Sequence, residues 1–199
     1  MTALRRSSNN TSAGRARAPA GRNRVRIIAG KWRSRQVRFP AAAELRPTPD
    51  RVRETLFNWL GQRLDGLACL DLFAGSGALG FEAASRGALR VVLVERDRAV
   101  ARALRDTARD LEAEGTEVIE AEAMAYLAHA GERFDVAFID PPFASGLAER
   151  ALAILPPRLN EGARVYVESA APIAAGAPWR ALREERAGAV RYGLYEYTP

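Results

Sequence analysis

The sequence holds one cysteine, Cys69, and one histidine, His129. A lone cysteine excludes an intrachain disulfide. The pair excludes a structural Cys/His zinc site built from this chain, and no metal is expected. No stretch approaches the roughly 18 consecutive apolar residues of a membrane-spanning helix, so no membrane partner is expected. The N-terminus lacks the apolar core of a secretory signal, which points to the cytoplasm. Acidic residues are missing from the first 43 positions, and the first to appear is Glu44.

What is present is ordinary for a folded protein. A hydrophobic share of 48% and a charged share of 27% rule out wholesale disorder. A length of 199 residues fits one domain with at most an appendage. The charge is uneven. Residues 1–43 carry ten arginines and Lys31, a net +11, whereas the remaining 156 residues hold 19 basic and 24 acidic side chains, a net −5. A basic segment on a mildly acidic body fits a polyanionic partner such as nucleic acid. An Arg- and Ser-rich, acid-free start also matches a solubilising tail or an organellar transit peptide.

Residues 1–23 have almost no large apolar side chain and are expected to be a disordered basic tail. Two short β-prone runs around Ala29-Gly30-Lys31 predict a hairpin with outward-facing arginines, an N-terminal extension over 24–45. The main domain then spans 46–199. Pro47-Thr48-Pro49 breaks the chain, and Thr48 or Asp50 is expected to cap the helix that follows. In that helix Val52, Leu56, Trp59 and Leu60 recur at three- and four-residue steps, which makes one apolar face. From Leu67 onward, apolar runs at 67–73, 90–94, 117–119, 134–139 and 164–167 alternate with amphipathic stretches at 78–86, 97–114, 123–130 and 146–155. That alternation predicts right-handed βαβ units and a parallel sheet, an α/β fold. Residues 180–185 and 189–197 read as a terminal hairpin of antiparallel edge strands.

The run Cys69-Leu-Asp71-Leu-Phe73-Ala74-Gly75-Ser76-Gly77-Ala-Leu-Gly80 sets G-x-G-x-x-G between a strand and a helix. Glycines there allow a tight turn and close backbone approach to a ligand at the helix N-terminus. Glu95 ends the next strand, 20 residues after Gly75, where an acid accepts from ribose hydroxyls. Asp71, four residues before Gly75, suits a cationic ligand and would repel a pyrophosphate. By that charge logic S-adenosylmethionine, with its ammonium and sulfonium and no phosphate, is favoured over a nicotinamide dinucleotide.

The strand over 134–139 runs into Asp140-Pro141-Pro142-Phe143. Ligands of open α/β sheets bind at the carboxyl ends of strands. Two prolines remove two N–H donors and stiffen the turn, which leaves the Asp140 carboxylate and the Pro141 carbonyl as acceptors. A flat amine-bearing ring stacked on Phe143 would direct both amine hydrogens at them, with the nitrogen lone pair turned toward a methyl donor.

With these residues in hand, the chain resembles the class I adenosylmethionine-dependent amino-methyltransferases, and more closely the bacterial 16S rRNA guanine-N2 methyltransferases of the RsmD type. The blocks that carry the resemblance are Arg26-Ile-Ile-Ala-Gly-Lys31-Trp32-Arg33, Arg46-Pro-Thr-Pro-Asp-Arg51-Val-Arg53-Glu-Thr-Leu-Phe-Asn-Trp-Leu, the glycine loop from Leu70, Asp140-Pro-Pro-Phe, Val165-Tyr-Val-Glu-Ser and Tyr192-Gly-Leu-Tyr. It covers residues 24–197. The family offers Asn or Asp where Glu122 stands here.

The resemblance implies a Rossmann-like, seven-stranded, mostly parallel sheet with one reversed strand in the C-terminal hairpin. It implies a methyl acceptor of the guanine(966)-N2 type in 16S rRNA or the assembling small subunit, acted on by a monomer. Asp71, Phe73, Ala74, Gly75, Ser76 and Gly77 would contact the methionine end of the cofactor, Glu95 the ribose, and Glu122 and Ala123 the adenine. Asp140 and Pro141 would orient the amine in the turn completed by Pro142 and Phe143. Arg24, Arg26, Lys31, Trp32, Arg33, Arg35, Arg51 and Arg53 would engage RNA or close over the cofactor. Two other readings stand beside this one. An adenine-N6 methyltransferase would use the same turn but usually carries a separate target-recognition domain. A non-catalytic RNA-binding assembly factor would share the fold. Cys69 is expected as a buried small hydrophobe, His129 as a surface residue at a helix end, and Trp59 as core.

Overall fold

The computed structural model describes residues 23–40, 48–142, 146–170, 172–173, 176–188 and 190–199. The expected tail, apart from Asn23, lies outside the described residues, as do 41–47 and Phe143. The predicted hairpin is present: β1 (Arg24–Arg26) and β2 (Gln36–Arg38) pair antiparallel, with Val25 opposite Val37. Alternation along these strands buries the two valines and exposes the arginines beside them. Ile27, Trp32 and Phe39 extend the apolar underside, which joins one core with Leu56, Phe57, Phe81 and Leu104. The hairpin is therefore packed onto the body.

Helix α1 (Asp50–Trp59) buries Val52 and Leu56 as its spacing predicts, with Leu60 buried just past its end, and it also buries Phe57, outside the predicted face. Its N-cap is Pro49, without a side-chain cap, which corrects the expectation for Thr48 and Asp50. Both side chains are held elsewhere: the Thr48 hydroxyl donates to Asp140, and the Asp50 carboxylate accepts from Arg26 and Arg53.

The remaining elements alternate as expected: β3 (Ala68–Asp71), α2 (Ala78–Ser85), β4 (Arg90–Glu95), α3 (Arg98–Asp110), β5 (Thr116–Glu120), α4 (Ala123–His129), β6 (Phe134–Ile139), α5 (Leu147–Ile154), β7 (Leu159–Ser169), β8 (Trp179–Ala187) and β9 (Val190–Tyr197). The seven-stranded sheet runs β5-β4-β3-β6-β7-β9-β8, parallel from β5 to β7, with β9 antiparallel to both neighbours. β7 is longer than the apolar run at 164–167, because Leu159 already pairs with Phe134 ahead of a register shift. The central strands bury both faces. Cys69, Leu93, Phe138 and Tyr166 pack in the core shared with α1, α2 and α3, whereas Leu70, Val92, Ala137 and Val165 pack in the core shared with α4 and α5. The chain winds outward through β4 and β5, then returns to add β6 on the other side of β3. That reversal opens the crevice where open α/β sheets bind ligands.

Candidate active site

The glycine loop joins β3 to α2 at this crevice. Gly77, with φ of +75°, is the N-cap of α2. A Cβ on Gly80 would lie 2.0 Å from Leu93 Cδ2 and 3.2 Å from Asp71 Oδ2, so a larger residue would push the helix off the sheet. The Gly80 N–H donates to Asp71 Oδ2 at 2.9 Å, and the Gly75 N–H donates to Glu95 Oε2 at 2.9 Å. Loop N–H groups of the kind that cradle a pyrophosphate are here taken by the protein's own carboxylates. Burial pushes Asp71 up to about 7 against the Gly80 bond, and the charges of Asp140 and Glu95 add to the rise. Phe73 is half-buried, and Ala74 and Ser76 are buried in the same turn.

Asp140 follows β6 at the same edge. Its Oδ2 accepts from Thr48 Oγ1 at 3.0 Å, a bond across 92 positions that brings the block before α1 onto the Asp-Pro-Pro turn. Pro141 is buried and Pro142 exposed. Burial pushes Asp140 up to about 6, opposed by the Thr48 bond.

Reasoning from the sequence missed Glu168 and Tyr166 as site residues. Glu168 is 6% exposed near the end of β7, and its Oε1 accepts from Tyr166 Oη at 2.8 Å. Both lie in the Val165-Tyr-Val-Glu-Ser block, where strand alternation alone could have set Glu168 on the side of Tyr166. Glu95, Asp71, Asp140 and Glu168 thus stand on or just past the carboxyl ends of four adjacent strands, β4, β3, β6 and β7. Among the described residues none of the four is in an ion pair, and they do not form a metal-binding group.

The expected RNA-binding residues divide. Arg24, Arg26, Lys31, Arg33, Arg35 and Arg51 are exposed. Arg53 and Trp32 are buried, which corrects their expected contact with RNA. The Arg53 guanidinium, 0% exposed, donates to Glu82, Asp50 and the carbonyls of Arg26 and Thr48. Trp32 packs in the core, its backbone N–H donating to Ser85 Oγ and the Lys31 ammonium lying over its ring. Glu122 is the N-cap of α4, its Oε2 accepting from the Ala125 N–H at 2.9 Å beside buried Ala123. Cys69 is buried, and that burial pushes its thiol up to about 12. His129 is exposed at the end of α4, and Trp59 is half-buried against the Tyr192 ring.

Comparison with known proteins gives the family and the fold. The model of the family described as conserved hypothetical protein 95 matches residues 25–196. The ribosomal RNA small subunit methyltransferase D of Escherichia coli is 44% identical over 184 residues, covering 89% of this chain and 92% of the relative. The protein of that name from Haemophilus influenzae is 42% identical, covering 89% of this chain and 96% of its own length. The solved structure of Escherichia coli yhhF superposes with a TM-score of 0.81 at 45% identity, over 88% of this chain and 98% of that one.

Proposed function

The chain belongs to the conserved hypothetical protein 95 family, the RsmD family, and on that premise we propose that it methylates the exocyclic N2 amine of a guanine in small-subunit ribosomal RNA, with S-adenosylmethionine as donor. The observation that carries the reading is the row of carboxylates at the carboxyl edge, buried or half-buried and without a cation among the described residues, next to a turn built of acceptors. A cofactor with an ammonium and a sulfonium and no phosphate matches that charge. A dinucleotide would face the carboxylates that hold the Gly75 and Gly80 N–H groups.

The cofactor supplies a methyl group on a positively charged sulfur. Asp71 and the turn from Phe73 to Gly77 would hold its methionine end, Glu95 its ribose, and Glu122 and Ala123 its adenine. Thr48 holds one oxygen of Asp140 and so sets the plane of the carboxylate. The other oxygen and the Pro141 carbonyl then orient the two amine hydrogens, which keeps the nitrogen lone pair from delocalising into the ring. In its carboxylate form Asp140 accepts from the amine. A base inside a duplex cannot reach this edge, so the target is unpaired or flipped out. The exposed arginines of the hairpin and Arg51 would hold the RNA backbone.

Incubation with tritiated adenosylmethionine and small subunits from a strain lacking the activity tests the reading. Label should appear in N2-methylguanosine, at a position that mapping of the RNA then identifies. Label in N6-methyladenosine, or none in RNA, overturns it.

A further inference from the structure

In the sheet Ile139 of β6 pairs with Val167 of β7, and the next residue on each strand is a carboxylate: Asp140 on one, Glu168 on the other. Both continue the alternation of Phe138 and Tyr166, which face the core under α1. Among the described residues the donors that reach them are neutral, Thr48 for Asp140 and Tyr166 for Glu168. Among the described residues the groups with charge or a titratable proton around Glu168 are Asp140 just past β6, Tyr166 from its own strand, Tyr192 from β9, and Arg51 from α1, whose charge acts on Tyr192, while Asp71 at the end of β3 faces Asp140 from the other side. The Tyr192 hydroxyl itself donates to Glu185. Two hydroxyl donors compensate poorly for two negative charges out of water.

We propose that Glu168 is a positioning residue of the methyl-transfer site: Asp140 and Glu168 share one proton, and once it leaves, the Glu168 charge strengthens Asp140 as the acceptor of the amine proton. The proposal rests on the methyltransferase reading. In the transfer, the amine nitrogen bonds to the methyl carbon as the carbon–sulfur bond breaks, and that bond's electron pair stays on sulfur. The nitrogen is left positively charged. Asp140 takes one N–H proton, the N–H bonding pair returns to nitrogen, and Asp140 later releases the proton to water. Burial, then the Asp140 charge, pushes Glu168 up to about 8 against the Tyr166 bond, while burial pushes Asp140 up to about 6. The two titrate as a pair, with one negative charge between those values and two above them.

The test is single-turnover methyl transfer from saturating tritiated adenosylmethionine to small-subunit RNA across pH, so that cofactor binding through Asp71 does not enter, with thermal unfolding over the same range. Wild type should speed up twice, near pH 6 and again near pH 8. Glu168→Gln should keep only the first rise, so the wild-type to variant rate ratio grows by about threefold or more between pH 6.5 and 9. Tyr166→Phe removes a donor to the carboxylate and should move the second rise to higher pH. A carboxylate whose folded pKa is raised costs stability as pH climbs from the ordinary carboxylate range through the folded value. The Tm of Glu168→Gln relative to wild type should therefore increase from pH 5 to 9. A second rise that survives Glu168→Gln, or a Tm difference flat with pH, overturns the proposal. Failure of the methyltransferase reading looks different: wild type then transfers no methyl at any pH, while the Tm comparison still reports on the buried pair.

Discussion

Glu82 on α2 is fully buried and Asp140 just past β6 is half-buried, and the surroundings of these two carboxylates are opposite. Glu82 Oε1 accepts from Arg86 Nε at 2.8 Å and the Ala29 N–H at 3.0 Å, while Oε2 accepts from the Ile28 N–H at 2.7 Å and Arg53 Nη1 at 3.4 Å. Two of those four donors are cations, and the others are backbone groups of the hairpin connection. This cluster fastens the N-terminal hairpin to α1 and α2. Asp71, Asp140 and Glu168 accept only from a backbone N–H or a hydroxyl among the described residues. A buried charge with a cation beside it belongs to the architecture, whereas buried charges left with neutral donors retain an unmet demand for positive charge. Thr48 joins the two regions, since its carbonyl accepts from Arg53 and its hydroxyl donates to Asp140.

The largest effect expected from this contrast is on stability at the paired cluster. Glu82→Ala leaves Arg53 and Arg86 buried without their carboxylate and should cost about 3–5 kcal/mol. Thermal unfolding should read this as a Tm lower by roughly 6–20 °C. An unchanged Tm with abolished methyl transfer would move Glu82 into the site and break the comparison. Asp140→Ala should do the reverse. It removes a charged hydrogen bond of roughly 1.5–3 kcal/mol together with the alignment of the amine, so single-turnover transfer should fall about 100-fold or more. Tm should hold or rise, and calorimetry should find the affinity for adenosylmethionine nearly intact. Asp140→Asn, which still accepts, should be milder.

A smaller effect follows from Asp71. Its carboxyl is raised to about 7, so the charge offered to a cationic cofactor disappears as pH falls through that value. Calorimetry should find adenosylmethionine binding weaker at pH 5.5 than at pH 8, by at most about tenfold per pH unit. Asp71→Asn should flatten that dependence; an unaltered slope would mean that Asp71 serves the helix alone. The smallest effect concerns the surface. Replacing the exposed Arg24, Arg33 and Arg38 with Gln should make the slope of log affinity for RNA against log salt shallower, by about 0.7–0.9 for each phosphate these arginines neutralise, and leave Tm unchanged. Arg53→Gln should lower Tm, which separates arginines that face solvent from a buried one.

Much of the fold was legible because it depends on local chemistry. Apolar runs of strand length, three- and four-residue apolar steps and glycines at a strand-to-helix turn each act over a few residues, and the element boundaries agree within a residue or two for most of the chain. The glycine loop, Glu95 and the Asp-Pro-Pro turn were visible for the same reason: each is a contiguous pattern whose chemistry can be read without its neighbours. The basic N-terminus misled on two points. Arg53 and Trp32 look like RNA contacts in a segment rich in arginine, but burial is a property of what packs on top. Their partners, Glu82 and Ser85, lie 29 and 53 positions further along the chain.

The order of strands and helices, the charge of the N-terminal segment and the place of the Asp-Pro-Pro turn at a strand end each follow from composition and spacing within one stretch of chain. Which charges are paired is settled by packing between distant segments. That packing set Glu168 beside Asp140 through the register of β6 on β7, brought Thr48 onto the same carboxylate, and gave Arg53 to Glu82. Coulombic pairing and desolvation depend on distance in space and on exclusion of water, and both are fixed only when segments far apart in the chain come to rest against one another.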